Sequence, residues 1–279
     1  MKNCFFVSDI HGRKKHYEKL FNSITTEKPS AVFLGGDLLP HRSSDHNFVK
    51  DFLVPEIQSI KNKLADSFPR IFLILGNDDA RLEEKHIIDS EESGIWEYTH
   101  FKNVDFEDYK IFGYNYTSPS PFLLKDWEKY DVSRYADPGC ISPEEGKRTI
   151  EISSDEKKYS TIKKDIEILT ENFTPGKSVF LFHSPPYQSN LDRAALDGKL
   201  IDQIPVDLHV GSIAVKRFIE QHQPYITLHG HIHESAAITG SWQDRIGKTY
   251  CFSAAHDGSE LAIVKFDLDH PSGAERILV

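Results

Sequence analysis

The chain has 279 residues, a formal net charge of −10 and an isoelectric point of about 5.8, so it carries no basic field that would hold nucleic acid through its phosphates. Three cysteines, Cys4, Cys140 and Cys251, with no CxxC pair, argue against a disulfide framework and a thiolate zinc site. The opening stretch MKNCFFVSDIHG lacks the apolar core of a signal peptide and no run approaches membrane-spanning length, so a soluble protein of the reducing cytoplasm, without a membrane partner, is expected.

Five short apolar runs punctuate the chain: CFFV at 4–7, AVFL at 31–34, IFLIL at 71–75, SVFLF at 178–182 and YITL at 225–228. None alternates with polar residues, so each is expected to be a strand covered on both faces, as in parallel sheets. After the first run, Tyr17, Leu20, Phe21 and Ile24 have helical spacing. Pro55 suits the start of a helix with the stripe Ile57, Ile60 and Leu64. Residues 115–150 are rich in proline and aromatics without a sustained period, and read as an irregular, lid-like insertion. Ser153 and Glu156 predict a capping box for one helix with the apolar face Tyr159, Ile162, Ile166 and Leu169. Val215, Phe218 and Ile219 mark a helix before the last run. Beyond it, KTYCFSA and ELAIVKFDL flank HDGS, whose Asp257-Gly258 predicts a turn between antiparallel strands. One domain over 1–279 is expected, because α/β folds with a single large core reach this size.

The residues just past each run carry the chemistry. The first run leads to Asp9 and His11, the second to Asp37, the third to Asn77, the fourth to His183, and the last to His231 and His233. In open α/β sheets ligands collect at the carboxyl ends of strands, so these side chains are candidates for one site. Carboxylates and imidazoles together suit manganese, iron or zinc. Two such ions sharing one carboxylate can clamp a phosphoryl group and activate water, and Asp37, behind two glycines, is the candidate bridge.

In this order, Asp9-x-His11, Gly36-Asp37, Gly76-Asn77, His183 and Gly230-His231-x-His233 resemble the calcineurin-like metallophosphoesterases. The stretch DLHVGSIAVKRFIEQHQPYITLHGHIHES is similar to an Icc-like subgroup of phosphoesterases. The resemblance implies a four-layered αββα sandwich, two mixed β-sheets flanked by helices. It implies two divalent metal ions, manganese by preference, with iron, zinc or nickel as alternatives. Asp9, His11, Asp37 and His233 would hold one, and Asp37, Asn77, His183 and His231 the other. It also implies attack of metal-bound hydroxide on the phosphorus of a small phosphorylated substrate. Two other readings stay open: a non-catalytic metal-binding scaffold, although no ligand position is lost, and a nuclease, against which the acidic balance counts. Homo-oligomerisation is also open.

The chain departs from the family pattern at Asp78, where a histidine ordinarily meets the leaving-group oxygen. An ionised Asp78 would repel phosphate, whereas a protonated one could give its proton to the departing oxygen. A diester carries less charge than a monoester, so small phosphodiesters such as nucleotides are expected. Asp79 is expected as a hydrogen-bond acceptor behind the ligands or as an acid at the next helix start, and His229 as a hydrogen-bonded support. His209, ahead of Gly211-Ser212 at a predicted helix start with free amides, is a second candidate for contact with the leaving group. His41 and Arg42 are candidate phosphate contacts, with a solvated loop as the alternative. Trp127, Tyr130 and Tyr135 either stack on a substrate or pack the insertion onto the domain.

Overall fold

The computed structural model describes residues 2–41, 47–171 and 173–279. Its strands are β1 Asn3–Val7, β2 Ala31–Gly35, β3 Arg70–Ile74, β4 Glu97–Tyr98, β5 Asn103–Phe106, β6 Tyr109–Tyr114, β7 Ser178–Phe182, β8 Leu200–Ile201, β9 Ile204–Pro205, β10 Ile226–His229, β11 Gln243–Ile246, β12 Thr249–Ser253, β13 Ala262–Asp267 and β14 His270–Leu278. The helices are α1 Lys14–Glu27, α2 Val54–Leu64, α3 Glu84–Glu91, α4 Ser154–Tyr159, α5 Ile162–Leu169, α6 Ile213–His222 and α7 Ser235–Thr239. Two six-stranded sheets result, ordered β14-β13-β1-β2-β3-β4 and β11-β12-β10-β7-β6-β5. In the first, β1 to β4 are parallel and β13 joins β1 antiparallel; in the second, β12, β10, β7 and β6 are parallel between antiparallel edges.

The absence of alternation in the five runs has a direct cause. Along β1, Cys4 and Phe6 join a cluster between the sheets with Phe33, Phe72, Leu181 and Phe252, while Phe5 and Val7 join the cluster that includes the helix residues Tyr17, Leu20 and Ile57. Successive side chains of a strand point to opposite faces, so a strand with helices on one side and a second sheet on the other must be apolar throughout. The four layers follow. On the other flank Phe218 of α6 packs on Phe180 of β7, ring centroids 4.9 Å apart.

Three expectations are corrected. Ser153 does cap α4, accepting from the Glu156 amide at 3.1 Å, but the helix stops at Tyr159 and Thr161 caps α5 anew. The Ile162 amide donates to Tyr130 O (2.8 Å) and the Lys163 amide to Asp131 O (3.1 Å), drawing the chain out of the first helix. Second, Asp257-Gly258 does not close a hairpin: β12 pairs with β10 and β11, and β13 with β1 and β14. Phe252 and Val264 meet in the same inter-sheet cluster from opposite sheets, so the connection crosses between layers. Third, the amides that open α6 are not free. Asp131 accepts from Ile213 N (2.6 Å), Ala214 N (3.2 Å) and Ser212 Oγ (2.7 Å).

No helix or strand lies within 115–150, yet the segment is well packed. Trp127 is fully buried, and Tyr130 nearly so, while Tyr135 is exposed. Lys125 and Glu128 form a wholly buried ion pair that also engages Ser120. Asp126 accepts from the Arg81 and Thr149 amides, both at 2.8 Å, pinning the segment to the chain just past β3.

Candidate metal centre

The seven ligand-type residues lie just beyond the carboxyl ends of β1, β2, β3, β7 and β10. Getting them there costs backbone strain. Asp9, His11, Asp37 and His231 all adopt positive φ, at 57°, 49°, 52° and 75°, a region that Asp and His enter more readily than most side chains but at roughly 1–3 kcal/mol each. Hydrogen bonds over-determine these turns: Asp9 N to Gly36 O at 3.0 Å, His11 N to Asp37 O at 2.8 Å, His231 N to Asp9 Oδ1 at 3.0 Å and Asp78 N to Asp37 Oδ1 at 2.8 Å. The glycines make the crowding possible. A Cβ on Gly36 would lie 2.6 Å from His183 Nδ1, and one on Gly76 would lie 2.6 Å from His183 Nε2.

Among the described residues three three-donor groups emerge, Asp9 with His11 and His233, Asp37 with His183 and His231, and His11 with His41 and Asp78, each with its donor atoms within 4.8 Å of one another. Asn77 Oδ1 stands 3.2 Å from His183 Nε2, adding a neutral oxygen to the second group. His183 Nδ1 faces Gly35 O at 2.8 Å, the carbonyl contact that fixes a ligating imidazole and leaves its other nitrogen for the ion.

The electrostatics fit cations. Burial alone would neutralise Asp9 and Asp37; instead His233 draws Asp9 down to about 2, and His183 draws Asp37 far below the usual carboxylate range. Burial likewise opposes charge on His183 and His233, yet Asp37 and Asp9 lift them to about 10 and about 9. The carboxylates thus gather positive charge at the positions where divalent ions would supply it. His231, lowered to about 3 chiefly by burial and next by His183, and His11, lowered to about 4 by burial, keep free lone pairs. His11 and His233 point their Nε2 atoms at each other across 3.2 Å. A proton on His233 makes this contact a hydrogen bond to neutral His11, and a cation held between them would take the place of that proton.

The other predicted residues separate into two places. Asp78 Oδ2 lies 3.3 Å from His41 Nδ1 and 3.8 Å from His11 Nδ1, and the His41 ring stacks on His11 at 4.3 Å. His41 is therefore beside the cluster though its side chain is 59% exposed. Burial, reinforced by Asp37, pushes Asp78 up to about 6. Asp79 is fully buried and accepts from Leu38 N (3.1 Å), Leu39 N (2.7 Å) and Gly76 N (2.9 Å), joining the loops after β2 and β3. It caps no helix, since α3 starts at Glu84. His229 is buried between Ser184 O (3.0 Å) and Thr227 Oγ1 (2.8 Å). His209 sits elsewhere, on the connection from β7 to α6, with Nδ1 2.8 Å from Asp192 Oδ1. Arg42 lies outside the described residues. Sequence reasoning missed Asp192 and Asp131, which sit in loops without a motif and show their roles only once distant amides are brought to them.

The calcineurin-like phosphoesterase family model matches residues 3–235, and the chain belongs to that family. It is a hydrolase that cleaves phosphoester bonds with divalent metal. No curated protein matches it in sequence. Among solved structures it is similar to TT1561 of Thermus thermophilus, with 16% identity, a TM-score of 0.58 and coverage of 99% of this chain and 98% of that one. An archaeal phosphodiesterase shares 11% identity, with a TM-score of 0.44 and coverage of 99% of each chain. A dimetal phosphatase from Danio rerio shares 10%, with a TM-score of 0.49 over 99% of this chain and 98% of that one. The likeness to TT1561, at 16% identity, is one of fold. None of the described helices is long and apolar enough to cross a membrane.

Proposed function

We propose that the chain hydrolyses small phosphodiesters, nucleotides among them, at a pair of divalent cations, manganese first. The observation that carries this reading is the adjacency of two carboxylate–imidazole groups, Asp9–His11–His233 and Asp37–His183–His231, just past the carboxyl ends of strands from both sheets. Two cations bound there would polarise phosphoryl oxygens and lower the pKa of a water. Asp37 supplies the shared carboxylate, with one oxygen fixed by the Asp78 amide and the other 3.1 Å from His183 Nε2. Asn77, His183, His231 and His233 fix the geometry.

Asp78 takes the leaving-group position. Burial and Asp37 favour its protonated form, while neighbouring cations favour the ionised one. A diester brings one negative charge towards this carboxyl where a monoester brings two, which supports the diester preference. His41, stacked on His11 and exposed on its far side, is the phosphate contact within reach of Asp78; Arg42 is proposed beside it from sequence alone.

The chain is read as one metallophosphoesterase domain in which 115–150 forms an anchored cover, an assignment supported by the burial of Trp127. Three unpaired cysteines suit a reducing cytoplasm, and the net charge of −10 favours small substrates over nucleic acid. The test is the initial rate on bis(p-nitrophenyl) phosphate and p-nitrophenyl phosphate with metal-stripped protein and added manganese. Turnover that saturates with manganese and favours the diester supports the reading. Clear preference for the monoester removes the diester assignment, and metal binding without turnover on either ester favours the scaffold.

A further inference from the structure

The connection from β7 to α6 holds a second carboxylate–imidazole pair that the metal cluster does not use. Asp192 is fully buried. Its Oδ1 accepts from Ser189 N (2.9 Å) and faces His209 Nδ1 (2.8 Å), and its Oδ2 accepts from Gln188 N (2.9 Å) and Gly211 N (3.1 Å). The opposite side of His209 is open: the side chain is 32% exposed, and Nε2 makes no hydrogen bond among the described residues.

The segments flanking this pair are tied to the residues that follow His183 and His233. Ser212 N donates to Pro185 O at 2.8 Å, and a Cβ on Gly211 would lie 2.6 Å from the same oxygen, two residues past His183. Arg193 N donates to Ser235 Oγ and Ala195 N to Glu234 Oε1, both at 3.0 Å, immediately past His233. The strand ends that carry His183 and His233 therefore set where His209 stands.

The carboxylate assigns the tautomer. An imidazole that donates from Nδ1 to a carboxylate presents Nε2 as an acceptor when neutral. A bare phosphate ester offers no donor to such an atom, whereas a sugar hydroxyl or a base N–H does.

We propose that Asp192 and His209 form a recognition dyad, in which His209 Nε2 accepts a hydrogen bond from a hydroxyl or N–H group on the organic substituent of the phosphoester and Asp192 positions it. The inference rests on the phosphodiester reading and adds the class of substituent, a polyol or nucleoside. Its test compares thymidine 5′-(p-nitrophenyl phosphate), which carries such donors, with bis(p-nitrophenyl) phosphate, which carries none, both with the manganese-loaded protein. In His209→Ala, kcat/KM on the thymidine ester falls about tenfold, the loss of one hydrogen bond, and is unchanged on the donor-free ester. His209→Gln, whose amide oxygen still accepts, recovers part of the loss. An equal fall on both esters, or no fall on either, overturns the dyad while leaving the hydrolase intact. Absence of wild-type turnover on both esters removes the phosphodiester reading, and the dyad with it.

Discussion

Two carboxylate–imidazole pairs with buried carboxylates, Asp37 with His183 and Asp192 with His209, are built from the same chemistry and resolved in opposite ways. Asp192 has every acceptor position answered by the protein, three by amides and one by an imidazole. Asp37 receives a single amide, and its other oxygen faces a histidine that must be charged to satisfy it. The difference teaches where an ion belongs: a buried carboxylate saturated by amides is complete, whereas one starved of donors beside further imidazoles awaits a cation.

The largest effect should come from the starved carboxylate. Asp37→Asn is expected to lower kcat by at least about 10³-fold, because it removes the shared anionic donor, and to reduce bound metal. Kinetics with elemental analysis check both, and full turnover with two ions retained would erase the distinction drawn between the pairs. Asp78→Asn should keep its metal and lose about 10²-fold on substrates with poor leaving groups, the lower range for a positioned acid. A leaving-group series measures this, and an effect equal across the series would deny Asp78 its place at the departing oxygen.

The saturated carboxylate should behave as structure. Asp192→Ala leaves three amides and an imidazole without their acceptor, and should cost ~2–4 kcal/mol of stability with metal content unchanged, read by denaturant unfolding and metal analysis. The smallest expected effect is one of pH. His183 and His233 are raised from 6.5 to about 10 and about 9, so in cation-free protein their contribution is full below 6.5 and is lost as pH rises through 9 and 10. The Tm of stripped protein should fall by about 4 °C or more from pH 7 to pH 10, beyond any fall in the metal-loaded protein, whose ligating imidazoles carry no such proton.

The two regions also differ in how far they could be read from the sequence. The seven ligand-type residues that the structure brings together were legible, because each sits just past a strand that is apolar on both faces, and strand ends in such sheets converge by topology. The pairing of β12 and β13 was not, because a local Asp-Gly signal cannot report that two apolar strands belong to different layers. Nor was the break at Ser160, which is imposed by carbonyls of Tyr130 and Asp131 far back in the chain. Asp192 follows the same rule: its partners lie up to 19 residues away and carry no spacing of their own. Residues placed by strand ends are visible in sequence, whereas Asp131 and Asp192, placed by backbone amides of irregular loops, are not.

The most direct measurement is a titration of metal-stripped protein with manganese, followed at once by bound-metal stoichiometry and by turnover of bis(p-nitrophenyl) phosphate. Two ions per chain, with activity rising as the second site fills, is the expected result. One ion or none at saturation, or activity indifferent to stripping, would contradict the assignment of Asp37 as the carboxylate shared between two cations.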